Sequence, residues 1–282
     1  MRAETLTVPG ATLYHEVRGS GPVLLFIPGG SGDAAPYTWV AEALADRFTT
    51  VAYDRRGFSR SPLAQPPDDA TRLETDVDDA RRLLEQVGAD PGRVFGSSSG
   101  AIVALALLTR HPERVRTVVA HEPPSLTVLH DGDRYQAILE EVFEQYRREG
   151  AGPAFERFAA ETGVRGGALP AGGEPPPGAM AEIAARLGPN IEFWFEHELR
   201  QYPRAPVDVA ALQRLADRLV LAGGDESRDN FPYLPNAELA RQLGTSVVDF
   251  PGGHVGYATH PTEFAARLRE VLPRHRRSRS RA

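Results

Sequence analysis

Cysteine is absent from this chain of 282 residues, which excludes disulfides, thiolate nucleophiles and cysteine-ligated metals together. Lysine is absent too: every basic residue is arginine, and no chemistry follows from that alone. The chain also lacks a long hydrophobic run. Its longest purely apolar stretch, Ala101–Leu108, is far below the roughly 20 residues needed to cross a bilayer. The opening "MRAETLTVPG" does not have the basic-then-apolar order of a secretory signal, so the expected location is the cytoplasm. Positive charge is scarce in the body. The formal net charge is −6, yet the last nine residues, "RHRRSRSRA", hold five arginines, and without them 27 basic residues face 38 acidic ones. A body that acidic repels a phosphate backbone, so no nucleic-acid partner is expected. The tail itself reads as a solvated, disordered end.

Hydrophobic residues make up 41% and charged residues 25%, a globular composition. "ETLTV" and "ATLYHEV" alternate about Pro9-Gly10 and read as a hairpin. The continuous apolar run Val23–Ile27 has the pattern of a strand covered on both faces, and Thr49–Tyr53 reads as another buried strand. Helical spacing follows each: "YTWVAEALADRF", then Asp76–Val87, with Val77, Ala80, Leu83, Leu84 and Val87 on one side. The acids of "TDVDDA" are expected on the exposed side of that second helix. Strands over Arg93–Ser97 and Arg116–His121 flank a helix over Ala101–Arg110. Such alternation implies a parallel sheet wrapped by helices. From Glu122 to about Leu215 no strand pattern occurs, and the helical stretches are interrupted by "GGALPAGGEPPPG", read as a mobile loop. The strand–helix rhythm then resumes with strands over Arg218–Ala222 and Ser246–Phe250.

Chemistry centres on "VFGSSSGAIVALALL". Gly96-Ser97-Ser98-Ser99-Gly100 fits G-x-S-x-G with Ser98 in the middle. A strand before it and a helix after it make a sharp turn, and only glycine fits two positions on either side. A serine hydroxyl needs a general base to take its proton. Of the eight histidines, His254 in "FPGGHVGY" follows the last strand, where paired glycines let a loop bend inward. His121 ends a strand on the same edge and reads as a pocket residue or, more simply, a hydrogen-bonded structural histidine. A carboxylate must hold the imidazole in one tautomer. Asp225 and Glu226 in "LVLAGGDESRD" both qualify. A resemblance to the α/β-hydrolase fold, whose usual Gly-x-x-acid spacing counted from Gly223 falls on Glu226, favours Glu226. Relatives that recruit an acid after the sixth strand make Glu122 in "HEPP" the third candidate. No HxxEH or HExxH occurs, and "PGGSG" has neither a following Lys-Ser/Thr nor a full G-x-G-x-x-G. No metal and no cofactor are expected.

These motifs resemble those of the α/β-hydrolase fold superfamily, and the likeness runs from about Leu6 to Leu272, most of the helical segment aside. The resemblance implies a mostly parallel eight-stranded sheet wrapped by helices, with a helical cap inserted after the sixth strand. It divides the chain into a discontinuous core (1–122 and 213–273), a cap (123–212) and the tail (274–282). Where relatives commonly carry His-Gly after the third strand, this chain has Pro28-Gly29-Gly30. By position, the N–H groups of Gly30 and Ser99 are the implied oxyanion donors, and Gly96 and Gly100 the elbow glycines. Asp54–Ser61 is similar to the family's D-x-R-G-x-G-x-S turn, with Ser59 in place of a glycine, and is read as scaffold. The implied activity is a serine hydrolase that cleaves a small, partly apolar ester, lactone or thioester through an acyl-enzyme on Ser98. The alternatives are a carbon–carbon bond hydrolase with the same triad, a proline-releasing aminopeptidase, and a non-catalytic ligand-binding protein. Phe193, Trp194 and Phe195 are read as cap core first and pocket lining second. The expected partner is a small-molecule substrate, without nucleic acid or membrane, and the chain leaves room for a homodimer.

Overall fold

A computed structural model describes residues 1–88, 90–164 and 179–272 of the chain. The Pro/Gly segment expected to be a mobile loop and the basic tail 274–282 lie outside the described residues. Eight strands form one sheet in the order β1-β2-β4-β3-β5-β6-β7-β8. They are β1 (Arg2–Val8), β2 (Ala11–Arg18), β3 (Val23–Ile27), β4 (Thr49–Tyr53), β5 (Gly92–Ser97), β6 (Val115–His121), β7 (Leu219–Gly224) and β8 (Val248–Phe250). β1 and β2 form the expected hairpin, and β2 pairs antiparallel with β4. Every other neighbouring pair is parallel.

The helices are α1 (Thr38–Leu44), α2 (Arg72–Val87), α3 (Ser99–Arg110), α4 (Gly132–Glu149), α5 (Ala151–Thr162), α6 (Ala179–His197), α7 (Val209–Arg214), α8 (Leu234–Leu243), α9 (Gly256–Thr259) and α10 (Pro261–Val271). Strand β3 shows why its apolar run is unbroken. Leu25 and Ile27 pack with α2 and α3 on one face, while Leu24 and Phe26 pack with α1 and α10 on the other. Successive side chains point to opposite faces, so a strand covered twice is apolar at every position. Each fully buried Leu or Phe contributes about 1.5–3 kcal/mol. Between β6 and β7 the described residues form α4 to α7 and short 3-10 turns, with no strand. This insertion has its own apolar cluster, built around Leu139, Val142, Phe143, Phe158 and Phe195.

Helix α2 corrects two expectations. It starts at Arg72, a full turn before Asp76, and Asp76 and Asp79 are buried while Asp78 alone of the three acids is not. The reason lies in the turn after β4. Arg55 bonds Asp76, and Arg56 forms a two-point pair with Asp79 at 2.6 Å for each bond. The guanidiniums of that turn need carboxylates beneath them, and α2 supplies them from its inner face.

Candidate active site

Ser98 stands between β5 and α3 with φ +56° and ψ −128°, a conformation that costs a non-glycine residue on the order of 1–3 kcal/mol. Its surroundings hold it there. The Ser98 N–H donates to the His121 carbonyl at 2.9 Å, and the Ser98 carbonyl accepts from Ala101 N at 2.8 Å. The glycine spacing has the expected steric cause. A Cβ on Gly96 would lie 2.8 Å from the Ala101 Cα, and one on Gly100 would lie 2.5 Å from the Pro28 carbonyl oxygen. A side chain at either position would therefore push helix and strand apart.

His254 follows β8 and reaches back over the sheet edge, where its Nδ1 lies 2.6 Å from Oε2 of Glu122. Glu122 is fully buried at the end of β6 with φ +50°. Its Oε1 accepts the Gly224 N–H at 2.7 Å. Burial pushes the carboxyl's pKa up. The hydrogen bond to His254, the nearby imidazoles and the Gly224 N–H outweigh that and hold it down at about 2. The carboxylate that the structure brings to His254 is thus Glu122, and neither Asp225 nor Glu226, both of which are exposed. Asp225 instead accepts the Gly252 N–H at 2.9 Å, and the Glu226 N–H donates to the Gly252 carbonyl at 3.2 Å. Gly224 explains the choice: a Cβ there would lie 2.7 Å from the Gly253 carbonyl. Lacking one, β7 lets the histidine loop drop past the β7 loop onto the end of β6.

His121 also departs from expectation. It is fully buried among Phe95, Phe250, Tyr257 and Phe264, and neither ring nitrogen makes a hydrogen bond within the protein. Burial pushes its pKa down to about 4 against the opposing pull of Glu122. Its backbone carbonyl, rather than its ring, supports the elbow.

Ser98 and His254 line one cavity of about 420 Å³, its opening included. The other walls are mainly apolar, with Pro124, Leu139, Phe158, Val164, Trp194 and Phe231 among them. Ser99 lines it as well. Gly29 sits directly on Ser98, since a Cβ on it would lie 2.8 Å from the Ser98 Cβ. Gly30, next along, is covered by the Trp194 indole, which would lie 2.7 Å from a Cβ there. The three aromatics of α6 therefore divide. Phe195 is buried in the insertion, stacked 4.6 Å from Tyr146. Phe193 packs on Phe58 with ring centroids 4.9 Å apart. Trp194 lines the cavity. Among the described residues no group of three or more His, Asp or Glu is placed to hold a metal ion.

A mostly parallel sheet with a strained serine at the turn after β5, lining one cavity with a histidine from the loop after the last strand, defines an α/β hydrolase by fold. Comparison with known proteins agrees: residues 22–167 match the family described as "alpha/beta hydrolase fold". The uncharacterized hydrolase YraK of Bacillus subtilis (strain 168) is 38% identical over 278 residues, covering 97% of either chain. A zearalenone hydrolase of Bionectria ochroleuca is 29% identical over 282 residues, covering 96% of this chain and 98% of its own. Among solved structures, a thermophilic esterase from Thermogutta terrifontis superposes with a TM-score of 0.71 at 20% identity, covering 96% of this chain and 97% of its own. The chain belongs to the α/β-hydrolase fold family. No helix among the described residues is long and apolar enough to cross a membrane.

Proposed function

We propose that the protein is a serine hydrolase acting on a small, partly apolar ester, lactone or thioester. The observation that carries this reading is the 2.6 Å pair of His254 and buried Glu122, beside the strained Ser98 on the same cavity. In this mechanism His254 Nε2 takes the Ser98 hydroxyl proton as Oγ attacks the substrate carbonyl. Glu122 accepts the Nδ1–H, which fixes the tautomer and stabilises the imidazolium. The N–H groups of Gly30 and Ser99 hold the developing oxyanion, each donor lowering the barrier by about 3 kcal/mol. Collapse of the tetrahedral intermediate breaks the bond to the leaving group, which carries off the proton from His254. Water, deprotonated by the same histidine, then attacks the acyl-enzyme and regenerates Ser98.

The apolar cavity walls and the near full-length likeness to a protein named for zearalenone hydrolysis support a small organic substrate. The helical insertion supplies most of those walls, Phe231 from the loop after β7 aside, and serves as the cap over the core. A fluorophosphonate probe tests the reading directly. It should label wild type at Ser98 and leave Ser98→Ala and His254→Ala unlabelled while both remain folded. Equal labelling of Ser98→Ala would remove the nucleophile. A panel of p-nitrophenyl esters, lactones and acyl thioesters then identifies the bond cleaved.

A further inference from the structure

The turn Asp54–Ser61, read from sequence as scaffold, does more than support the sheet. Together with the loop after β3 it receives one face of α6. Arg186 reaches Asp33 at 2.8 Å. One turn later Asn190, almost fully buried, accepts the Ser59 N–H at 2.9 Å and donates to the Ser31 carbonyl at 2.8 Å and the Ser59 hydroxyl at 2.7 Å. Phe193 lies against Gly57. Glu198, just past the helix and fully buried, accepts from Arg55 through both oxygens at 2.9 Å and from Arg72 Nη2 at 2.9 Å.

Trp194 sits midway between these two polar clasps, four residues after Asn190 and four before Glu198. Four residues are about one helical turn, or roughly 6 Å of rise, so both clasps lie on the indole's side of the helix. The fixing is needed. Pro189, inside α6, removes a donor from the helical ladder just before Asn190. The Glu198 N–H also donates to the Trp194 carbonyl at 2.9 Å, so the Glu198 clasp holds the backbone of the tryptophan itself.

We propose that Asn190 and Glu198 are positioning residues that press the Trp194 indole against Gly30 and so set the ceiling of the cavity above Ser98. This rests on the reading of Ser98 as the nucleophile and of Gly30 as part of its oxyanion loop. Without the clasps α6 can lift and the indole leaves the loop. The substrate then binds less tightly, while the serine, histidine and glutamate stay where they are.

The test uses the full chain with Trp39→Phe, which leaves Trp194 as its single tryptophan, and adds Asn190→Ala. The expected result is a red-shifted Trp194 emission with greater acrylamide quenching, and a KM raised about tenfold with kcat lowered less than threefold. Glu198→Gln alone leaves two buried guanidiniums facing one carboxylate and is expected to destabilise the fold for that reason. Its partner is therefore Glu198→Gln with Arg72→Gln, which restores neutrality but not the clasp and should give the same emission change. Unchanged emission and KM in a folded Asn190→Ala protein would overturn the proposal, because packing on Phe158 and Phe195 would then suffice to hold the indole. Absence of fluorophosphonate labelling in wild type would instead overturn the proposed chemistry. The emission measurement judges the clasps in either case.

Discussion

Two neighbouring loops leave the same edge of the sheet and each offers a carboxylate, but in opposite states. At the end of β6, Glu122 is fully buried, kinked at φ +50° and bonded through both oxygens. At the end of β7, Asp225 and Glu226 are exposed and bonded to the backbone at the end of β8 and of the histidine loop. All three are acids within two residues of a strand end. The difference teaches that proximity in the chain is not what an imidazole needs. A carboxylate shielded from water acts through a low effective dielectric, where a charge-assisted bond is far stronger than one at the surface.

The comparison breaks most sharply at the reacting groups. Ser98→Ala and His254→Ala should each lower kcat by about 10⁵- to 10⁶-fold toward the residual provided by binding alone, measured on whichever substrate the panel identifies. Next comes the acid. Glu122→Gln should cost about 10³- to 10⁴-fold in kcat, as when a triad acid loses its charge. Asp225→Asn and Glu226→Gln should stay within about threefold of wild type, the small effect expected of exposed groups. A large loss in either of the latter with none in Glu122→Gln would reverse the assignment.

Stability against acid sharpens the contrast further. Glu122 is held at about 2, below its ordinary value of 4.5. Its contribution is therefore complete above about pH 4.5 and is lost as the pH falls toward 2, amounting to roughly 3 kcal/mol. His121 is pushed from 6.5 to about 4, so the unfolded chain binds its proton first. Stability from keeping it neutral is complete above about pH 6.5 and is lost as the pH falls toward 4. Denaturant midpoints followed from pH 7 to 2 should show two successive declines. His121→Phe should flatten the first, and Glu122→Gln the second. The smallest effect falls on the exposed Glu226→Gln, whose denaturant midpoint at pH 7 should correspond to a stability within about 0.5 kcal/mol of wild type.

Much of the architecture is legible from residue pattern because it answers to local rules. The two-faced strands announce themselves as unbroken apolar runs. The serine elbow is visible because Gly96 and Gly100, each two residues from Ser98, are forced by the close approach of Ala101 and Pro28, and His254 because paired glycines precede it. The acid is less legible, since two loops carry three carboxylates between them and the choice depends on which loop the sheet edge buries. A signal does exist. Glu122 lies between an apolar strand and Pro123-Pro124, whereas Asp225 and Glu226 begin the polar run "DESRD". The inward Asp76 and Asp79 are hidden for a similar reason: their partners, Arg55 and Arg56, come from a turn more than fifteen residues earlier in the chain.

The peptide unit joining His121 to Glu122 belongs to both halves of the proposed chemistry. Its carbonyl receives the Ser98 amide, its own amide is given to Ala222, and the side chain that leaves it holds the imidazole. The proposed nucleophile and its proposed acid therefore hang from a common mount. A substitution that tilts this one plate moves both together, so the acid has little freedom to drift in position without unseating the hydroxyl as well.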